Sequence, residues 1–270
     1  MDGRLHHELL DLDGIEESLK HINKSYEFNG RKVPRVTSII DQFEDQRYLI
    51  NWAVGIGYRK YKAINEKSLE VGTLVHEAID NYLIMKYKGG PAYDINYDLI
   101  EEDFREAVYL AYENFLLWEK NLNSHGYFIE ELVGVEIPVV TPWYGGTIDA
   151  IFKINGAYYI IDFKTSKKIS DNYLIQVAAY IWAVNNGYGN GLPMIDGVGI
   201  IRVDKSKYGI IDDLFLSKFD DKQVLVLGRC IECFLSYIEA YYRNLSAYYM
   251  IDNYSIGYQF EEAMPKHEEW

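Results

Sequence analysis

The period of the hydrophobic pattern changes near residue 126, and this change divides the chain. Helical spacing of apolar residues, at intervals of three and four, predicts helices over 5–24, 39–62 (broken near Gly55 and Gly57), 71–87, 98–123, 171–185, 220–242 and 245–251. A shorter period with β-forming residues predicts strands over 132–140, 146–154, 157–165, 196–203 and 209–216. The order helices, three strands, helix, strand predicts an α/β fold, with a mixed central β-sheet flanked by helices and helical decorations at both ends.

Local turn signals refine this outline. Asn-Gly pairs at 29–30 and 155–156 are typical of two-residue hairpin turns. Thr37 or Ser38 is expected to cap the helix that begins at Ile39. The pair Gly72-Thr73 is expected to mark the start of the helix over 71–87.

Charged residues interrupt the two most apolar strands. Asp162 and Lys164 project from one face of their strand, and hairpin pairing brings Asp149 of the preceding strand beside Asp162. Spacing alone also fits a surface charge ladder. Unpaired charge is costly among such apolar neighbours, however, and a bound metal is one way to compensate it.

The donor types favour a hard divalent cation. Carboxylates of Asp149, Asp162 and Glu136, with the backbone carbonyl of Phe163, suit Mg²⁺ or Mn²⁺ better than zinc. Such a cation would polarise a phosphodiester, and Lys164 would orient a water or stabilise developing charge. Glu136 has a short sequence context, which leaves its part as a ligand open.

Composition and charge narrow the partners. The formal net charge of −14 opposes generic nucleic-acid binding, because phosphate contacts require Lys and Arg. The basic residues are concentrated, and polyanion contact is expected at three groups: Arg59, Lys60 and Lys62; Lys164, Lys167 and Lys168; Arg202, Lys205 and Lys207. For the first group, where tyrosines are interleaved, an ordinary solvated helix end is the alternative interpretation.

The remaining features bear on compartment and domain organisation. The chain contains no apolar run long enough for a membrane span and opens on a polar, acidic segment, which predicts a cytoplasmic protein. Cys230 and Cys233 provide half of a four-cysteine metal site, or two thiols buried on a helix. Without repeats or low-complexity linkers, we expect a single domain over 1–270, with a mainly helical part (1–125), a sheet core (126–216) and C-terminal helices with an acidic tail (217–270).

Four short motifs in this order resemble the RecB-type branch of the PD-(D/E)XK nuclease superfamily, in a phage-like stand-alone form. They are G-T-x-x-H (72–76), G-x-x-D (146–149), D-F-K-T (162–165) and Q-x-x-x-Y (176–180). The resemblance implies a restriction-endonuclease-like core. It covers 72–180, with a weaker similarity over 33–40, and each motif alone is common.

The resemblance assigns a role to each matching position. Asp149 and Asp162 would be metal-binding acids, with Glu136 a further acid, and Lys164 the catalytic lysine. His76 would be a metal ligand or active-site imidazole, although a single histidine on a helix is more often structural. Gln176 and Tyr180 lie on one helical face and would support the lysine or contact substrate phosphate; alternatively they are a polar helix edge and a half-buried tyrosine.

The resemblance therefore implies a divalent-metal-dependent deoxyribonuclease, most simply an exonuclease acting on DNA ends, with Mg²⁺ or Mn²⁺ as cofactor. No iron–sulfur cluster is expected from two cysteines. A helicase or recombination partner would supply any motor, since the chain has no phosphate-binding G-x-x-x-x-G-K-[ST] loop. A structure-specific endonuclease and a non-cleaving binding or assembly protein with the same fold are the alternatives.

Overall fold

The centre of the protein is a five-stranded sheet. The computed structural model describes residues 25–45 and 47–255, so the helix predicted over 5–24 and the acidic tail lie outside the described residues. The sheet has the order β3-β4-β5-β6-β7, and its strands are β3 (Ile129–Val140), β4 (Gly145–Ile154), β5 (Ala157–Lys164), β6 (Gly197–Val203) and β7 (Ile211–Ser217). A separate hairpin consists of β1 (Ser25–Phe28) and β2 (Arg31–Pro34).

The sheet is mixed, as the sequence predicts. β3, β4 and β5 pair antiparallel, β5 and β6 pair parallel, and β6 and β7 pair antiparallel. A parallel pair requires a crossover, and the helix over Asp171–Ala183 provides it. The tight turn between β4 and β5 has left-handed backbone at Asn155 (φ 49°) and Gly156 (φ 80°), which confirms the Asn-Gly hairpin signal.

Helices cover both faces of the sheet. Their bounds are α1 (Val36–Asp41), α2 (Arg47–Ile56), α3 (Tyr58–Lys88), α4 (Glu102–Leu122), α5 (Asp171–Ala183) and α6 (Asp221–Ser255). Residues of α3 and α4, such as Val75 and Phe115, pack with Phe152 and Phe163 in one apolar core. Residues of α5 and α6, such as Val177 and Phe234, pack in the other. The predicted fold class is therefore confirmed.

Two helices are longer than the sequence predicts. The end of the predicted segment 39–62 and the whole of 71–87 lie in one helix, α3. This helix begins after a break at Gly57 (φ 85°) and continues without interruption through Gly72 and Thr73. The Thr73 hydroxyl donates to the Leu69 carbonyl, so it bonds within the helix rather than capping one. Similarly, 220–242 and 245–251 lie in the single helix α6.

The predicted start of the first described helix is also wrong. α1 begins at Val36, three residues earlier than expected, with Arg35 preceding it and no side-chain cap. Burial of Val36, Ile39 and Ile40 stabilises this short helix instead of a capping hydroxyl. None of the helices in the described ranges has the length and apolar character needed to cross a membrane.

Candidate active site

The candidate site lies where strands β4 and β5 diverge. Their pairing runs from the hairpin turn to Ala150 opposite Ile161. Beyond this last pair, the Phe163 N–H donates to the Asp149 side chain, at 2.7 Å from Oδ2. The Asp149 carboxylate thus accepts a backbone bond where the ladder ends, and the N–H and C=O of Phe163 both face the opening between the strands, as strand geometry requires.

Three potential ligands meet at this opening. His76 of α3 places Nδ1 3.6 Å from Asp149 Oδ2. Glu136 of β3 lies opposite Asp149, since its neighbours Val135 and Ile137 pair with Ala150 and Ile148. One donor atom from each of His76, Glu136 and Asp149 lies within 4.8 Å of the other two. These distances allow all three residues to contact a single cation.

The backbone of Glu136 is in the left-handed region, with φ 46°. A residue with a Cβ atom adopts this conformation at a cost of order 1–3 kcal/mol, so the surrounding structure must hold it there. The exposed Glu136 side chain borders the same cleft as His76. The strained position therefore coincides with one of the three potential ligands.

Lys164 occupies a second part of the site. Its Nζ lies 3.0 Å from Asp162 Oδ1 and 2.8 Å from Oδ2. The same ammonium donates to Gln176 Oε1 at 3.2 Å and lies 4.8 Å from the centre of the Tyr173 ring. The Gln176 amide then donates to the Tyr180 hydroxyl at 3.1 Å. Gln176 thus contacts the lysine and Tyr180 contacts Gln176, which are the contacts that a supporting role would require.

Asp162 differs in its surroundings from the other acids. It is 2% exposed and is ion-paired with Lys164, whereas the trio within 4.8 Å consists of His76, Glu136 and Asp149. Glu136, whose part as a ligand the sequence left open, is thus one of the three grouped donors, and Asp162 is not. In the structure Asp162 is the counter-ion of Lys164.

Burial and like charges dominate the electrostatics. Burial raises the pKa of Asp149 to about 6, and the neighbouring Asp162 carboxylate adds to this, while His76 and Lys164 oppose it. For Lys164, burial opposes the charge, but the Asp162 and Asp149 carboxylates outweigh it, so the pKa of the ammonium is raised. Lys164 is therefore a cation at neutral pH, which suits it as a hydrogen-bond donor rather than a base.

Asp80 is a site residue that the sequence reasoning missed. It lies one helical turn after His76 on α3, and the two residues border the same cleft. Burial raises the pKa of Asp80 to about 8, with further contributions from the carboxylates of Glu136, Asp149 and Glu77. The spacing of four residues from His76 was the available signal, but it is too common to single out one aspartate.

The cleft itself has a volume of about 870 Å³. α3 forms one wall, from Ser68 to Ile84, and the opposite side is formed by Val135, Glu136 and the chain from Phe163 to Ser166. This space is large enough to admit a group of nucleotide size. His76, Glu136 and Lys164 line this cleft.

The first two of the basic groups predicted to contact a polyanion have exposed lysines or arginines. Arg59, Lys60 and Lys62 are exposed in the first turns of α3, the helix that carries His76, and Lys62 lies 3.7 Å from Glu66. Lys167 and Lys168 are exposed in the turn after β5.

Arg202 does not fit the expectation that it meets a polyanion. Its side chain is 3% exposed and is held by Asp204 and Asp212. The two cysteines, Cys230 and Cys233, are half-buried free thiols on α6.

Comparison with known proteins adds little to this geometry. No family model matches the chain, and no curated protein gives a significant match. Among solved structures, the chain titled "Crystal structure of SSO0001" is 13% identical over 83% of this chain and 82% of that chain, with a TM-score of 0.34. A likeness at this TM-score supports no conclusion about fold or function.

The raised pKa values of Asp80 and Asp149 predict a pH dependence of stability. A carboxyl group whose pKa is raised on folding binds more protons in the folded than in the unfolded state between the two values, so stability falls as pH rises. The metal-free protein should therefore unfold at a lower temperature at pH 8.5 than at pH 6, as followed by circular dichroism in the presence of a chelator. Asp80→Asn should flatten this dependence; an unchanged slope would contradict the assignment.

Gly146 predicts a steric effect on the site. A Cβ atom at this position would lie 2.4 Å from Tyr180 Cε1, and Tyr180 is 3% exposed, so the ring has little room to move. Gly146→Ala should lower the free energy of unfolding by about 1–3 kcal/mol, measured by urea titration. Gly228→Ala is the control, because nothing lies within 4 Å of its Cβ position in α6, and it should be neutral or stabilising.

Proposed function

We propose that this chain is a divalent-metal-dependent nuclease of the RecB-type PD-(D/E)XK class that hydrolyses DNA phosphodiester bonds, acting as an exonuclease. One observation carries the proposal. Three metal-type donors lie within 4.8 Å of one another, and two of them, His76 and Glu136, line the same cleft as the half-buried Lys164 ammonium, which a carboxylate and an amide hold. These are the residues that the four sequence motifs contribute, together with Glu136.

The donor set fits a hard cation that tolerates nitrogen. Two carboxylates and one imidazole, with the Phe163 carbonyl facing the same opening, suit Mn²⁺, and Mg²⁺ where water completes the oxygen shell. Desolvation and the like charge of Asp162 disfavour an ionised Asp149, so a cation would also relieve this repulsion. A divalent cation bound here would supply Lewis-acid chemistry to a phosphodiester.

The neighbouring side chains would orient the reaction. With Asp162 and Gln176 holding its ammonium, Lys164 is positioned to donate a hydrogen bond to a water or to a phosphate oxygen that gains charge. Gln176 is itself fixed by Tyr180, which limits the rotation of its amide. Lys164 would therefore stabilise charge at a set position, without the cost of reorganising in the transition state.

Substrate binding would rely on few cations. The net charge of −14 disfavours wide phosphate contact, so DNA would enter along the basic start of α3 and past Lys167 and Lys168. Because few phosphates would be neutralised, the affinity for DNA should fall only modestly as salt is raised. Mg²⁺ or Mn²⁺ at the site would offset part of the negative charge that DNA meets.

A panel of end-labelled substrates tests the proposal. Purified protein is incubated with Mg²⁺, Mn²⁺ or chelator on blunt, tailed, circular and branched DNA. Metal-dependent release of label from linear DNA, with circular DNA intact, supports an exonuclease. Cleavage of circular or branched DNA would instead indicate an endonuclease, and metal-independent binding without cleavage would overturn the nuclease proposal.

A further inference from the structure

Arg202 is a buried cation directly beside Lys164. The two residues are register partners in the parallel pair of β5 and β6, so their side chains leave the same face of the sheet. Arg202 Nε donates to Asp212 Oδ2 at 2.5 Å, and Nη1 donates to Asp204 Oδ2 at 3.0 Å. Because both carboxylates compensate the guanidinium, Arg202 does not compete with Lys164 for Asp162.

A third contact of Arg202 reaches the chain just after β5. Nη1 also donates to the Ser166 carbonyl at 3.2 Å. Ser166 follows Lys164 by two residues, after β5 has ended, and it lines the candidate cleft. The guanidinium thus fixes the chain immediately beyond Lys164, in the turn that leads to the helix carrying Gln176.

The turn that carries Asp204, one of the two acids bonded to Arg202, is itself hydrogen-bonded to α4. Asn114 of α4 is 0% exposed, and its amide donates to the Asp204 carbonyl at 2.7 Å and to the Lys207 carbonyl at 2.8 Å. The Gly209 N–H donates back to Asn114 Oδ1 at 2.7 Å. These bonds fix the turn between β6 and β7, and therefore the carboxylate of Asp204 that faces Arg202.

The same turn also contacts the other wall of the cleft. Lys205 Nζ lies 2.6 Å from Ser68 Oγ on α3, eight residues before His76. Arg202 and Lys205 are thus near neighbours in sequence with different targets, since one bonds the chain after Lys164 and the other bonds α3. This difference provides a matched pair of variants.

We propose that Arg202 is a positioning residue for Lys164: by holding the Ser166 carbonyl between β6 and the cleft, it keeps the Lys164 ammonium between Asp162 and Gln176. The catalytic part of this inference rests on the proposed function, whereas the positioning itself does not. Lysine at position 202 would keep a charge beside Asp204 and Asp212, but a single ammonium cannot reproduce the planar, three-way bonding of a guanidinium.

Acetylation of lysines by acetic anhydride, quantified by mass spectrometry, tests the positioning directly. In the parent, Lys164 should react slowly relative to the exposed Lys222, because its side chain is 18% exposed and ion-paired. In Arg202→Lys, the Lys164 to Lys222 reactivity ratio should rise at least about threefold. Lys205→Met is the matched control, and it should leave the ratio unchanged.

The outcomes separate this inference from the nuclease proposal. If the parent cleaves DNA, Arg202→Lys should lower kcat by about tenfold or more and leave KM within about twofold, since substrate contacts remain. If the parent cleaves nothing, the acetylation ratio still decides the inference. An unchanged Lys164 ratio in Arg202→Lys, or an equal rise in Lys205→Met, would overturn it, and matching thermal midpoints exclude general unfolding.

Discussion

Replacement of Asp149 by asparagine is expected to abolish metal-dependent DNA cleavage and to weaken Mn²⁺ binding by at least about 100-fold. Loss of a residue that only supports a ligand typically costs 10–100-fold in metal affinity, so loss of a direct ligand should cost more. Asparagine keeps an oxygen that accepts the Phe163 N–H, and it removes a buried charge that desolvation already disfavours. The variant should therefore fold well, and isothermal titration calorimetry with MnCl₂ measures the effect.

The control for this variant is an acid outside the cleft. Glu131→Gln changes an exposed carboxylate on β3, the strand that also carries Glu136. It should bind Mn²⁺ with the affinity of the parent. Equal Mn²⁺ affinity in Asp149→Asn and in the parent would show that the trio is not the metal site.

The Lys164→Gln variant should lose about 10²–10³-fold in kcat while it binds Mn²⁺ as tightly as the parent or more tightly. The rate loss is the usual consequence of removing one preorganised donor that stabilises charge in a transition state. Metal affinity should not fall, because the change removes a positive charge near the donor trio. Single-turnover cleavage and calorimetry measure the two quantities separately.

Stability must be controlled here, because the substitution leaves the buried Asp162 without its cation. Breaking a buried ion pair in this way commonly destabilises a protein by several kcal/mol. The double variant Lys164→Gln with Asp162→Asn removes both charges and should regain much of that stability, but not the activity. Recovery of activity in the double variant would contradict a catalytic role for Lys164.

The sheet could be predicted largely from the sequence, whereas the helix ends could not. Strand alternation and the Asn155-Gly156 turn act locally, so β4 and β5 follow from the pattern. Glycine and threonine inside a helix cost only about 1 kcal/mol or less each. Burial of Val71 and Val75 outweighs that cost, so α3 continues through Gly72 and Thr73, where a break was predicted.

Most residues of the candidate site could be named from the sequence, but not all of the contacts between them. Period two places Asp162 and Lys164 on one face, and their ion pair follows from it. His76 was selected only through the resemblance, because a lone helical histidine carries little information. Asp80 was missed, since its burial depends on how α3 packs against the sheet.

The support around the site depends on contacts between residues that are distant in sequence. From sequence, Arg202 was expected to contact a polyanion. In the folded chain its guanidinium is buried and is bonded by Asp204, just after β6, and by Asp212 of β7. Neither contact can be predicted from the local sequence. The same is true of the contact between Gly146 and Tyr180. Local sequence patterns contain no information about such packing, so these contacts can be seen only in the folded chain.

The most direct test of the central claim is one time course on end-labelled linear DNA, started with chelator and then supplied with excess Mn²⁺. The parent should release no label before Mn²⁺ is added and should release it steadily afterwards, whereas Lys164→Gln should release it at least about 100-fold more slowly. Release that is independent of the metal, equal rates for the two proteins, or no release by the parent would contradict the account.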